Sequence, residues 1–152
     1  MRVSAKVDYA VRAMAELAAA EPGVPVKADR LAEAQEIPAA FLDNILLSLR
    51  NAGLVESRRG PEGGHRLARP ADEVSVADVI RAIDGPLAGV SGRRPEALSY
   101  SGAAAPLRDV WVAVRANLRA VLEHVTLADL AAGQLPRQIL VLTEDEDAWH
   151  TR

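Results

Sequence analysis

Apolar residues recur at helical spacing in several stretches of this chain, and the intervals between them are rich in glycine and proline. Val7, Val11, Met14, Leu17 and Ala18 line one face of a first helix, which Ser4 caps and which runs to Ala20, where Glu21-Pro22-Gly23 ends it. Val24-Pro25-Val26 reads as a short extended connection. A second helix follows over Ala28 to Gln35 with Leu31 and Ala32 inward. Its punctuation is weak, because Lys27 is not a capping residue and Glu36 stands where glycine is expected. Ile37-Pro38 makes the next turn, since a residue before proline is biased out of the helical region.

The third helix repeats Leu42, Ile45, Leu46 and Leu49 on one side. Pro38 suits its first helical position and Gly53 the left-handed residue beyond its end. Its other side carries Ala39, Ala40, Asp43, Asn44 and Arg50, all small or polar. Two short strands are predicted at Leu54-Val55-Glu56-Ser57 and His65-Arg66-Leu67-Ala68, joined by Gly60-Pro61-Glu62-Gly63-Gly64. Two helices joined by a brief turn, then an arginine-tipped hairpin, form a winged helix-turn-helix pattern of the kind that grips duplex DNA.

Pro70-Ala71-Asp72-Glu73 breaks the pattern before Ser75 caps a helix with Val76, Val79, Ile80 and Ile83 on one side and Gly85-Pro86 as its stop. Residues 85–105 read as a loop or linker. Pro106 opens a long helix to about His124, roughly 28 Å at the helical rise per residue. Val110, Trp111, Val114, Leu118, Val121, Leu122 and Val125 give it an apolar stripe too broad for the edge of a small domain. A second copy of the same helix is the simplest cover. Thr126 and Asp129 form a capping-box start for a final short helix.

The fold class is therefore mainly α with a small β-wing. The expected organisation is a winged helix-turn-helix DNA-binding domain at 1–84, a loop at 85–105, a dimerisation helix with a short following helix at 106–132, and a flexible acidic tail at 133–152.

Composition narrows the function. The chain has 152 residues, 49% hydrophobic and 26% charged, which suits a folded domain rather than a disordered one. Net charge is −3, which argues against indiscriminate coating of nucleic acid. The bases are unevenly placed: Arg50, Arg58, Arg59, Arg66 and Arg69 face only Glu56 and Glu62 within 50–69. No cysteine is present, which excludes disulfides, thiol nucleophiles and thiolate metal or iron–sulfur ligation. His65, His124 and His150 lack metal-ligand spacing, and Gly60 to Gly64 has neither the Lys-Ser/Thr nor the strand-to-helix setting of a phosphate loop. No serine sits in a nucleophile elbow, so neither enzyme chemistry nor a cofactor is expected. The N-terminus lacks the apolar core of a signal peptide and no run approaches a membrane span, so a cytoplasmic protein is expected.

Several stretches together carry a family resemblance. They are Met1-Arg2-Val3-Ser4, Asp8 to Ala13, Ile37-Pro38 with Phe41-Leu42 and Ile45-Leu46, Leu49 to Val55, the wing run Arg59 to Ala68, Val76 to Gly85, and Val125 to Leu130. Over roughly residues 1–132 they resemble the Rrf-type winged-helix transcription regulators, the family of IscR, NsrR and CymR. The Arg-Gly-Pro-x-Gly-Gly wing is the most specific part.

The resemblance implies a homodimeric regulator with the third helix in the major groove and the wing in the minor groove. By position, recognition-helix contacts fall on Ala39, Ala40, Phe41, Asp43 and Asn44, with Arg50 on the same polar face. Wing contacts fall on Arg58, Arg59, Gly60, Gly63, Gly64 and His65, the last in place of the usual tyrosine. Arg2 and Ser4 fall where the family's N-terminus approaches phosphates. Dimerisation falls on Trp111, Val114, Leu118, Val121, Leu122 and Val125. Ala40, Asp43 and Asn44 replace the longer polar residues of some relatives; Asn44 can still pair with adenine and Asp43 with cytosine. Many relatives hold an iron–sulfur cluster on three cysteines in the 85–106 loop, sometimes with an acid at the position of Asp8 or a neighbouring His as a further ligand. Without a thiolate this chain is expected to be colourless, with no iron switch.

The leading expectation is a homodimeric operator-binding regulator, more a repressor than an activator, partnered by double-stranded DNA. Two alternatives stand beside it: a small-molecule sensor with an effector pocket near Trp111, and a winged-helix protein-interaction module that no longer binds DNA.

Overall fold

The computed structural model describes residues 2–151. Met1 of the N-terminal motif and Arg152 of the acidic tail lie outside the described residues. Three helices come first: α1 (Ala5–Ala19), α2 (Ala28–Gln35) and α3 (Ala39–Asn51). An antiparallel hairpin follows, β1 (Val55–Arg58) and β2 (Gly64–Leu67), then α4 (Val76–Asp84), α5 (Leu107–Leu122), α6 (Leu127–Ala132) and α7 (Arg137–Thr143). Helices with a two-stranded wing are the architecture that the periodicity predicts.

Side-chain caps fix the start of three helices, α1, α4 and α6. Ser4 caps α1 by accepting a hydrogen bond from the Val7 amide at 3.1 Å. Ser75 and Asp78 form a reciprocal capping box on α4, and Thr126 and Asp129 form one on α6, each satisfying two amides that the helix leaves open. Pro38 sits one residue earlier than expected. It is the N-cap of α3, with extended ψ of 130°, and its carbonyl accepts from the Leu42 amide at 3.1 Å. Glu36 ends α2 with φ of 51°, a left-handed conformation that glycine adopts without strain. Gly53 holds φ of 74° past α3 and turns the chain into the wing.

One apolar core joins α1, α2, α3, the base of the hairpin and α4. Met14, Leu31, Leu42, Ile45 and Leu49 are almost fully shielded from water within it. The predicted inward faces of α1 and α3 are the buried ones, although Ala10 and Ala13 displace Val11 and Ala18 from the centre of α1.

Two parts of the expected organisation differ. Residues 126–132, grouped by sequence with the dimerisation helix, return to the first domain: Leu127 is in the core and α6 packs on α1. The Leu127 amide donates to the Val74 carbonyl and the Val76 amide to the Val125 carbonyl, so the start of α6 is stitched to the start of α4. Residues 133–152, expected to be a flexible tail, carry α7 and a 3-10 turn over Glu146–Trp149; Ile139 is buried, and the Trp149 indole donates to the Thr143 carbonyl at 2.8 Å. The pattern Ile139-Leu140-Val141-Leu142 supplies the apolar content that a solvated tail would lack. The loop at 85–105 holds only two 3-10 turns, Pro95–Ala97 and Gly102–Ala104, and Leu87, Pro95 and Leu98 anchor it inward.

Candidate nucleic-acid interface

The apolar face of α3 is wholly in the core, which forces its opposite face outward. Ala39, Ala40, Asp43, Asn44 and Arg50 are all exposed. The Asn44 side-chain amide donates weakly to the Ala40 carbonyl at 3.2 Å, one turn back, and its carbonyl oxygen stays open to a partner. Phe41 is 51% exposed and meets Tyr9 edge-on, with ring centroids 5.9 Å apart. It is therefore neither a core residue nor a free one: α1 holds the ring on the outer surface. Short side chains along most of this face let a helix backbone approach close to a groove floor.

The wing depends on its glycines for shape. β1 and β2 pair from Val55 with Leu67 to Arg58 with Gly64, and the Gly63 amide donates to the Gly60 carbonyl at 3.0 Å to close the tip. Gly60 has φ of 106°. A Cβ on Gly63 would lie 2.1 Å from the Arg58 carbonyl oxygen, and one on Gly64 would lie 2.6 Å from the Val26 carbonyl oxygen. Gly63 is buried and Gly64 half-buried against their own chain. Both were expected among the DNA contacts; their surroundings make them hairpin formers, with Gly60 alone fully exposed at the tip. The hairpin also has a third partner. Val26 and His65 exchange two backbone hydrogen bonds at 2.7 and 2.8 Å, so the connection between α1 and α2 clamps β2. The extended triplet Val24-Pro25-Val26 was visible in the sequence; its pairing was not.

Charge in this region is more selective than the sequence count implied. Arg66 is engaged by the Glu56 carboxylate, with bonds of 2.9 and 3.0 Å, and Arg69 donates to the Glu73 carbonyl at 2.9 Å. Arg50, Arg58 and Arg59 remain exposed and enter no ion pair among the described residues. The positive surplus is thus concentrated on the end of α3 and the wing tip. His65 joins the two: it lies close enough to Arg50 and Asp43 of α3 to feel both charges, while its Nδ1 is 2.8 Å from the Ser57 hydroxyl. Burial first, and then the Arg50 guanidinium, hold its imidazole below the ordinary value, with Asp43 opposing them.

The N-terminal contacts divide. Arg2 is exposed. Ser4 is already occupied, because its hydroxyl caps α1 and donates to Asp84 at 3.1 Å. It is better described as the tie between α1 and α4 than as a phosphate ligand.

Along α5, no residue is fully buried by its own chain, unlike every other helix of the fold's core. Trp111, Val114, Leu118, Val121 and Leu122 are half-buried and Val110 is 49% exposed. Val125 departs from that group. It is only 7% exposed and hydrogen-bonded to α4, so it belongs to the core of its own chain and is removed from the dimerisation set.

The family model for Rrf2, described as an iron-dependent transcriptional regulator, matches residues 3–133. The chain belongs to the Rrf2 family. Relatives and solved structures agree. A candidate HTH-type transcriptional regulator of Mycobacterium tuberculosis, Rv1287, is 55% identical over 95% of this chain and 90% of its own length. The HTH-type transcriptional regulator CymR of Bacillus subtilis is 33% identical over 87% and 91%. The solved structure of CymR, titled the global cysteine regulator of B. subtilis, superposes with a TM-score of 0.74 at 31% identity, covering 88% of this chain and 98% of that one. The structure of T. potens IscR gives 0.67 at 32% identity, covering 100% and 93%. This Rrf2 protein is accordingly a winged-helix transcriptional regulator and not an enzyme.

The iron in the family's description does not fit the donor set present here. The chain has no cysteine, and among the described residues no three of His, Cys, Asp and Glu converge on a point that could hold a metal ion. Asp8, the acid that the resemblance suggested as a further ligand, is paired with Arg12 at 3.1 Å. Arg12 is itself fixed over the Tyr9 ring at 4.8 Å and donates to the Gln35 carbonyl at 2.8 Å, so Asp8 belongs to a contact between α1 and α2.

Proposed function

We propose that this Rrf2 regulator is a cytoplasmic homodimer that binds a pseudo-palindromic operator and represses transcription by occupying promoter DNA. The observation that carries this reading is the joint presentation of α3 and the wing: a polar, short-chained helix face with exposed Arg50, linked through His65 to a hairpin whose Arg58 and Arg59 enter no ion pair among the described residues. A helix of this kind fits the major groove, and an arginine-tipped hairpin suits the enhanced negative potential of a narrow minor groove. Two such units related by a two-fold axis would read half-sites about 34 Å apart or a small multiple of that.

Within this reading, Asn44 and Asp43 carry base discrimination, whereas Arg2, Arg50, Arg58 and Arg59 hold backbone phosphates. α5 brings the second copy, through Trp111, Val114, Leu118, Val121 and Leu122, because its stripe lacks full cover in one chain. No membrane partner is proposed; no helix among the described residues is long and apolar enough to cross one. Selection of duplexes from a random pool tests the reading. The wild type should enrich paired, inverted half-sites. Asn44→Ala should relax preference at one position per half-site, by about 1–3 kcal/mol. Enrichment of nothing, or of unpaired sites that Asn44→Ala leaves unaltered, would refute it.

A further inference from the structure

A second concentration of arginine lies away from the wing. α4, the loop after it and α5 border an open hollow of about 490 Å³ lined by Arg81, Arg94, Arg115 and Arg119, together with Gly85, Pro86, Leu87 and a single acid, Glu96. The alternative expectation had placed an effector near Trp111, but Trp111 does not line this cleft. Four guanidinium groups facing one hollow repel one another, and acids hold three of them. Glu123 pairs with both Arg81 and Arg119, Asp78 pairs with Arg81 at 3.4 Å, and Glu96 pairs with Arg115. Arg94 has no ion pair among the described residues, and its neighbour Arg93 is engaged with the Ala97 carbonyl at 2.7 Å. Positive charge therefore outnumbers negative in the cleft of a chain whose net charge is −3.

We propose that this cleft binds a small multivalent oxyanion, carried on a phosphorylated or polycarboxylate metabolite, as the effector of the regulator. The effector role rests on the reading above; the binding itself does not. Guanidinium forks match phosphate and carboxylate oxygens two at a time, and 490 Å³ lies in the range of small-molecule sites. Arg94 is the lining guanidinium without a direct ion pair among the described residues, held only by the longer-range field of Glu96. Glu96, exposed to solvent, is a substitute anion on Arg115 that an entering ligand would displace. The lining residues sit on three different elements. Arg81 is on α4, which packs on α1 and α3; Arg115 and Arg119 are on α5; and Arg94 and Glu96 are on the loop that packs on α5. An anion held by all three sets the angle between α5 and the winged-helix core, hence the spacing of the two α3 helices in a dimer.

Isothermal titration of the full chain, without DNA and at constant ionic strength, tests this with inorganic pyrophosphate and citrate as probes. At least one should bind saturably, and the preferred probe tells phosphate from carboxylate. Arg94→Ala, at an exposed position without an ion pair, should weaken that binding tenfold or more. Glu96→Gln should tighten it severalfold by freeing Arg115. A wing variant, Arg58→Ala with Arg59→Ala, should leave it unaltered. No saturable binding of either probe, or binding lost in the wing variant and retained in Arg94→Ala, would overturn the proposal. Because no DNA is present, that failure would be separate from any failure of operator binding.

Discussion

His65 shows how one residue connects the wing to the helix beside it. Its backbone is clamped to Val26, its Nδ1 meets Ser57, and its ring feels Arg50 and Asp43. With its imidazole held below the ordinary histidine value, the unfolded chain takes up this proton first as pH falls, so stability is lost as pH drops through that region. A phosphate brought to the wing would act in the opposite sense and favour the charged ring. Operator binding should then take up a proton, and affinity should rise as pH is lowered from about 8 to about 6, at fixed salt. In His65→Gln the slope of log affinity against pH should flatten. An identical slope in that variant would show that the imidazole does not face the duplex.

Element by element, the helices were the most legible part of the chain, because apolar spacing and caps agree. Ser4, Ser75 with Asp78, and Thr126 with Asp129 all cap as their sequence positions imply. The hairpin was legible from its glycines, although its strands run one residue later at the first strand's start and one earlier at the second's. What the sequence could not show was long-range pairing: Val26 on His65, and Val125 and Leu127 on the start of α4. Such contacts are fixed by tertiary packing, which leaves no local period. The end of α2 is the weakest local fit. Glu36 is left-handed at φ of 51°, so Glu36→Gly should remove backbone strain and raise stability by about 0.5–1 kcal/mol, after the larger unfolded-state entropy of glycine is subtracted. Urea denaturation checks this through the midpoint at constant slope. A lower midpoint would mean that Glu36 makes a stabilising contact that the backbone argument omits.

For the molecule as a whole, the site was half legible. Residue types at α3 and the wing pointed to DNA, but only the structure separates free arginines from engaged ones. Arg66 and Arg69 counted toward the basic surplus in the sequence, yet both are bound within the chain. Likewise Ser4, Gly63 and Gly64 have structural roles in the fold that their sequence positions did not show, and Val125 is buried in its own chain. The long helix makes the remaining whole-molecule prediction. Val110, 49% exposed in one chain, lies on the α5 stripe assigned to the second copy. Val110→Arg should shift sedimentation from dimer toward monomer, with circular dichroism retained. A monomer before substitution would contradict the dimer itself, and an unaltered dimer after it would place the interface elsewhere.

The most direct test of the central claim is a fluorescence-anisotropy titration of a selected operator duplex across a salt series, comparing the wild type with Arg58→Ala and Arg59→Ala. The account predicts two chains per operator, and a log–log salt slope that flattens by about one unit for each wing arginine removed. Unaltered affinity and slope in both variants would contradict it.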